Sequence, residues 1–420
     1  MLNMTWEFKL EPTPEQMAQI EQILVVCRQV WNFALRSRKD WINSRKSPIN
    51  ACSLDQEYII SPSEPYPNYY VQAKRLTEAK DQFPFLKMVH SQVLQQVLRT
   101  LDRAFEDMKA NKLGFPRFKN KYRMRSFVFP QLGKSPLNGS LLKLPQLGWI
   151  RLRLSRPIPD GFEIRQARIV RRASGYFVML ALQMKVSVPD VPPHGHPRGL
   201  DLGFDFFVAT SDSELVNRPR FLEPLHREMK LLQRRLKHKQ KGSNNRHKLN
   251  RKIARIHQRI SDTRKDWHFK LAHHLCDGAG MMFVEDIDFR SWQRGMLSLH
   301  SADAGFGQFV NVLQWVCFKR GVFFALVDKN YTSQQCPECG THTGKKELSE
   351  RIHSCPVCFY TASRDVAAAQ VIRNRGLELI STSGLGHNLE VKETVCGLDA
   401  AGTKGNVSLA GTERSRKLRK

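Results

Sequence analysis

Two cysteine pairs, Cys336-Pro-Glu-Cys339 and Cys355-Pro-Val-Cys358, are separated by fifteen residues. Thiolates at C-x-x-C spacing grip one ion from two sides, and two such pairs supply the four sulfurs of a tetrahedral Zn²⁺ site. The alternative, a redox pair beside accidental cysteines, accounts less well for the spacing. Gly340 follows the first pair and favours the tight turn that points backbone amides at sulfur. His342 and His353 lie between the pairs and could replace a sulfur, but four cysteines already complete the site. A structural zinc ribbon is expected over 331–359.

Three acids stand where strand and helix ends make acids awkward. Asp201 lies in Gly199-Leu-Asp-Leu-Gly203, with the leucines facing one way and the carboxylate the other. Glu285 closes the apolar run that starts at Met281, and Asp365 falls in the first turn of a helix that follows Ser363. Carboxylates at such ends can converge on Mg²⁺, which prefers oxygen ligands and keeps several waters. With two ions ~4 Å apart, one activates water and the other stabilises the leaving 3′ oxygen of a phosphodiester. On the residues alone, Asp286 or Asp288 would serve as well as Glu285. Asp365 reads equally well as an acid that compensates a helix dipole.

The surrounding elements follow from periodicity. Thr5 to Leu10 alternates as a strand. From Glu15, Met17, Ile20, Ile23, Leu24, Cys27, Val30, Trp31 and Leu35 recur at helical spacing. Val93, Val97, Leu101 and Phe105 form the stripe of a second helix near 89–111, and Ser47 to Tyr70 between them reads as loop. Alternation from Gly148 to Val188 predicts antiparallel sheet. Beyond a Pro-rich linker at 188–199, strands alternate with helices, which implies an α/β layer.

With 67 Lys and Arg against 39 Asp and Glu, the chain carries a formal charge of +28, and a polyanionic partner is the usual reason to tolerate such self-repulsion. Between Arg227 and Lys270, sixteen cations face three acids. The segment reads as a helical hairpin that tracks phosphates, and Arg234, Arg235, Lys237, Lys239, Arg246, Lys248 and Arg251 are candidate contacts. Arg117, Lys119 and Lys121 interleave with aromatics in Phe115-Pro-Arg-Phe-Lys-Asn-Lys121, a mixture suited to bases and backbone or to a solvated sheet edge. No apolar run approaches the roughly 20 residues of a membrane helix, and the amino terminus lacks the pattern of a signal peptide. An intracellular, cytoplasmic protein without a membrane partner is expected.

The order GLDLG, VED, CPECG, CPVC, SRDVAAA resembles the transposon-encoded TnpB (OrfB) family, relatives of type V CRISPR effectors. Leu10-Glu-Pro-Thr-Pro-Glu-Gln16, Arg28-Gln-Val-Trp-Asn32, the Phe115–Lys121 segment, the basic run at 231–273 and Tyr331-Thr-Ser-Gln334 look like family segments in family order, over roughly 5–375. The resemblance implies an RNase H-like (RuvC) nuclease domain at 198–330 and 360–376, with its basic helical hairpin at 225–275, interrupted by the ribbon. A wedge-like β-barrel at 1–12 and 113–192 would precede it, carrying an inserted helical recognition domain at 13–112. A weakly ordered basic tail would occupy 377–420. Asp201, Glu285 and Asp365 resemble the three RuvC acids that hold Mg²⁺, and Cys336, Cys339, Cys355 and Cys358 the zinc ligands.

The implied activity is RNA-guided cleavage of double-stranded DNA in a prokaryotic, nucleoid-associated setting. A guide RNA from the transposon end would supply sequence recognition. Two departures stand out. Ser363 and Ala367 replace an acid and an asparagine of the family's third motif, and Gly203-Phe-Asp-Phe-Phe207 is more aromatic than usual. The alternative function is therefore a cleavage-impaired, RNA-guided DNA-binding protein that acts as repressor or transposition accessory. A DNA-joining transposase would share the carboxylate logic.

Overall fold

The computed structural model describes residues 2–46, 60–61, 63–111, 113–188, 190–347 and 349–382. The chain divides into two units at 187/188.

The first unit opens with β1 (Leu2–Glu11), whose alternation buries Phe8 and Leu10. Helix α1 (Pro14–Lys46) follows directly. Its start is a reciprocal cap: the Gln16 amide donates to the Thr13 hydroxyl at 3.3 Å and the Thr13 amide to the Gln16 side chain at 3.1 Å. Of the apolar stripe, every member except Met17 is buried. Helix α2 (Tyr69–Gln82) is capped by Asn68, whose side chain accepts from the Val71 amide. Its first two residues overlap the segment expected to be loop, most of which (47–59, 62) lies outside the described residues, and its remainder forms a helix that the periodicity does not predict. Helix α3 (Ser91–Ala110) buries Val93, Val97, Leu101 and Phe105.

Strands β2 (Ser126–Phe129), β3 (Leu137–Asn138), β4 (Leu141–Leu144), β5 (Gly148–Arg153), β6 (Glu163–Arg172) and β7 (Gly175–Met184) complete an antiparallel sheet with β1, ordered β2-β6-β7-β1-β5-β4-β3. The first strand is thus central, paired with β7 from Leu2↔Met184 to Leu10↔Tyr176. Strands β2 and β3 are the edges, so hydrogen bonding among the described residues makes a seven-stranded sheet and not a closed barrel. Helices and sheet share one core, which runs from Ile20 and Leu35 through Leu94 and Leu101 to Phe127, Ile169 and Leu180.

The second unit is built on β8 (Pro197–Asp201), β9 (Phe206–Thr210), β10 (Leu215–Asn217), β11 (Met281–Glu285) and β12 (Phe323–Val327), in the order β10-β9-β8-β11-β12. β11 runs parallel to both β8 and β12, while β9 and β10 are antiparallel neighbours. Between β10 and β11 stands a hairpin of α4 (Glu223–Lys237) and α5 (Asn244–Leu275), zipped by Met229, Leu232, Ile256 and Ile260. α6 (Ser298–Ala304) and α7 (Phe306–Arg320) make the crossover to β12, as a parallel pair requires. A small hairpin, β13 (Ile352–Ser354) and β14 (Thr361–Ser363), leads into α8 (Arg364–Thr382).

Helix α8 extends six residues into the expected tail, because Gly376, Leu377 and Ile380 continue its helical pattern. The rest of that tail, 383–420, lies outside the described residues. No helix among the described residues is long and apolar enough to cross a membrane.

Candidate functional site

Asp201 and Glu285 end adjacent parallel strands. Leu200 is in register with Val284, so the two acids follow one step further on, side by side at the carboxyl edge of the sheet. That edge is where open α/β sheets hold ligands. Side chains alternate along a strand, so Asp201 shares its face with Gly199 and Glu285 shares its face with Phe283. Both faces meet α8. A Cβ on Gly199 would lie 2.1 Å from the Ala369 carbonyl oxygen, and one on Gly376 would lie 2.2 Å from the Phe283 ring. Two glycines, one on the strand and one on the helix, let α8 lie against the sheet and bring Asp365, in its first turn, to the other acids.

The electrostatics register this convergence. Burial raises the Asp201 carboxyl well above the usual carboxylate range, and the negative charges of Glu285 and Asp365 raise it further. Burial also raises Glu285 and Asp365. Glu285 is 8% exposed and accepts a hydrogen bond from the Thr332 hydroxyl, which opposes its shift, as do the charges of Arg375 and Lys329. Asp286 is exposed and Asp288 pairs with Arg290, and of the three acids it is Glu285 whose charge acts on Asp201.

Other residues of the site carried no chemical signal in the sequence. Thr332 lies in the Tyr331–Gln334 segment, to which the resemblance assigns no role. Arg351, on the ribbon, forms an ion pair with Asp205, and both charges act on Asp365, the arginine lowering its carboxyl and the aspartate raising it. Arg375 of α8 donates to the carbonyls of Asp328 and Asn330, and Asn374 donates to that of Pro337, which ties the helix to the start of the ribbon. The unusual Phe204 and Phe207 join an aromatic cluster. Phe207 packs on Trp267, Phe306 and Phe309 at 4.8–5.0 Å between centroids, and Phe204 packs on Trp292 and Phe306. Trp292 and Phe289 in turn anchor the loop after Glu285.

The ligand sulfurs of Cys336, Cys339, Cys355 and Cys358 all lie within 4.8 Å of one another. Cys336–Cys358 and Cys339–Cys355 are each 3.5 Å apart, close to the ~3.8 Å spacing of two sulfurs on one tetrahedral Zn²⁺ and far from a disulfide. The hydroxyl and amide of Thr341 hold the Cys339 thiol down to about 6, favouring the thiolate that binds metal. His342 and His353 are not part of this cluster. His353 is buried and meets Lys346. Among the described residues the cysteines are the group compact enough to hold an ion as they stand. The three carboxylates meet at the longer range over which charges repel. Carboxylates raised by burial and, at Asp201, by each other's charge fit a divalent cation with oxygen ligands.

The nucleic-acid candidates divide into exposed and structural cations. Arg234, Arg235, Lys237, Lys239, Lys248 and Arg251 are exposed on the α4–α5 hairpin, while Arg246 donates to the carbonyls of Leu236 and Lys239 and closes its turn. A cleft of about 570 Å³ between the two helices is lined by Arg235, His238, Lys239, Lys248 and Lys252. In the first unit, Trp31 and Asn32 clamp the 115–121 segment on α1. The Trp31 indole donates to the Arg117 carbonyl, and the Asn32 side chain bonds the Lys119 backbone in both directions. Arg117 and Lys121 project outward. Lys119 folds over the Trp31 ring at 3.5 Å, where burial lowers its ammonium to about 8.

Three family models match the chain: a probable transposase of the OrfB_IS605 type over 181–294, a Cas12f1-like TNB domain over 306–372, and a helix-turn-helix domain over 1–47. The last segment is here one strand and one helix. A putative RNA-guided DNA endonuclease of Streptomyces pristinaespiralis is 29% identical over 379 residues, which cover 89% of each chain. The putative RNA-guided DNA endonuclease InsQ of Escherichia coli K12 is 29% identical over 388 residues, covering 88% of this chain and 92% of its own. A solved Cas12f1–sgRNA–target DNA complex superimposes with a TM-score of 0.34 at 16% identity, covering 90% of this chain and 100% of the other.

Proposed function

The chain belongs to the TnpB (OrfB) family, and from that premise we propose that it is an RNA-guided DNA endonuclease of a transposable element, cutting with Mg²⁺ at Asp201, Glu285 and Asp365. The observation that carries the reading is that Asp201 and Glu285, far apart in sequence, end adjacent parallel strands, with Asp365 at the start of α8 near enough for its charge to raise the Asp201 carboxyl. Two relatives named "putative RNA-guided DNA endonuclease", matched over 89% and 92% of their own length, support it. The sheet order, with three strands in antiparallel sequence followed by two parallel additions, suits an RNase H-like nuclease.

Asp201, Glu285 and Asp365 would hold the metal, which when bound supplies a water nucleophile and neutralises charge on the phosphodiester. The chain's own residues set the stage. Thr332 holds one Glu285 oxygen by a hydrogen bond, and the other would be the metal ligand. Among the described residues, the ion pair of Arg351 is an exposed contact with Asp205, so an arriving phosphate can replace that aspartate. The cysteines would hold Zn²⁺ and keep the hairpin that carries Arg351 folded. The exposed cations of α4 and α5 would track backbone, while base pairing to a guide RNA transcribed from the element's end carries sequence. The sheet and helices of the first unit would serve as wedge and recognition parts.

Two measurements test the reading. RNA that copurifies with the protein from cells carrying its native flanking DNA should be one discrete species with a fixed scaffold and a variable end. A smear of cellular RNA would count against guidance. Loaded with that RNA, wild type should cut a matched target in Mg²⁺, and Asp201→Ala should bind it and leave it intact. Equal cutting by the variant would remove the site assignment.

A further inference from the structure

The two knuckles of the ribbon share one backbone hydrogen-bond pattern but differ in the residue that follows the second cysteine. In the first, the Gly340 amide donates to the Cys336 carbonyl at 3.0 Å and the Cys336 amide to the Thr341 carbonyl at 2.9 Å. In the second, the Phe359 amide donates to the Cys355 carbonyl at 3.1 Å and the Cys355 amide to the Tyr360 carbonyl at 2.9 Å. Gly340 and Phe359 are therefore equivalent positions, with φ of +72° and +60°. That left-handed region is open to glycine and disfavoured for a side chain as large as phenylalanine. The fold asks for glycine at this position, and the sequence supplies phenylalanine.

Packing does not offset the strain. The Phe359 ring is 81% exposed, and the ribbon's ring contacts join Tyr331 to His342 and His353 to Tyr360. An exposed aromatic on strained backbone is a reason to look for a ligand. Its position narrows the choice. Strands β13 and β14 pair as Ser354↔Thr361, His353↔Ala362 and Ile352↔Ser363, and the Arg364 amide then donates to the Arg351 carbonyl. One short ladder thus carries Phe359 at its tip and Arg351 and Asp365 at its base, on the order of 17 Å apart at strand rise. A ring and cations along one element make the surface that holds a single strand, because every base offers a face to stack and every linkage a phosphate.

We propose that Phe359 is a stacking platform for one unpaired nucleobase of the DNA strand presented to the carboxylates. The inference rests on the nuclease reading above and adds to it a contact made by a single strand, since bases within a duplex are already stacked.

The test uses the zinc-loaded full chain and a single-stranded oligodeoxynucleotide carrying 2-aminopurine, whose fluorescence is quenched on stacking. Phe359→Gly should weaken binding roughly tenfold or more and remove the quench. Its zinc should resist a chelator as well as wild type or better, because the backbone strain is gone. Phe359→Trp should bind and quench as wild type does. Unchanged affinity and quench in Phe359→Gly would overturn the proposal. So would easier loss of zinc, which would make the ring structural, or a change from dimer to monomer at equal affinity, which would make it a contact between copies. If the variant loses binding while wild type cuts no guided target, the stacking site stands and the nuclease reading falls. If wild type cuts and the variant binds equally well, only the stacking proposal falls.

Discussion

The carbonyl oxygen of Ala369 lies where a side chain on Gly199 would begin, 2.1 Å from an ideally placed Cβ. Asp201 is two residues beyond that glycine on the same face, and Asp365 is one helical turn before that carbonyl. The contact therefore sets the separation of two acids. Gly199→Ala should push α8 off the sheet, destabilise the second unit by roughly 3 kcal/mol and lower cutting about a hundredfold. Gly307→Ala is the control: the nearest atom to its Cβ would be 3.8 Å away, within a helix, and it should be neutral or stabilise by ~0.5–1 kcal/mol. Denaturant melts and cleavage rates on both variants check the pair. An unaffected Gly199→Ala would mean that the helix is not held by this contact.

Charge at the site should oppose stability. Asp201 is raised by burial and by its two acidic neighbours, so the folded state holds a proton there more firmly than the unfolded chain does. The penalty is absent below the ordinary carboxylate range, grows as pH rises above it and is complete once pH passes the elevated pKa. At neutral pH without divalent metal, Asp201→Asn should stabilise the protein by on the order of 1–2 kcal/mol while abolishing cutting. Added Mg²⁺ should raise the melting temperature of wild type more than that of the variant. A variant less stable than wild type in metal-free buffer would show that the acids do not repel.

What could be read from the sequence was what repeats locally. The stripe from Ile20 to Leu35, the stripe from Val93 to Phe105 and the apolar run before Glu285 each announce an element, and the cysteine spacing announces a cluster. Helix α2 gave little sign because Gln72 is its one buried residue, leaving the Asn68 cap as the main signal. Arg351 and Thr332 were missed for a different reason. Each acts on an acid distant in sequence, and an exposed arginine or a loop threonine looks the same whether or not it does so. Gly376 was the usable clue, since a glycine within a helix costs stability and needs a packing reason.

Zinc should matter to cutting through Arg351. The ribbon hairpin holds this residue beside Asp205 and Asp365, and the hairpin is three residue pairs long, too small to persist without its metal. Cys355→Ser should lose zinc, lower the melting temperature and reduce cutting tenfold or more even in saturating Mg²⁺. Arg351→Ala should keep its zinc and its melting temperature while losing a similar share of activity. If Cys355→Ser cuts normally once Mg²⁺ is raised, the ribbon does not position the arginine.

His268 sets an acid limit on the second unit. Its ring is fully buried among Phe207, Trp267 and Phe309, and the Ala304 carbonyl lies 3.0 Å from Nε2. Arg264 is the charged group acting on it, and burial is the main cause that lowers its pKa to about 4. The unfolded chain takes up a proton near pH 6.5, whereas the folded ring stays neutral until about 4. Between those values the unfolded state binds more protons, so stability falls as pH falls, by up to ~3 kcal/mol. Denaturant titrations from pH 7 to 4 should show that slope, and His268→Phe should flatten it, since a ring of similar size cannot charge. An unchanged slope in that variant would assign the acid sensitivity to other groups.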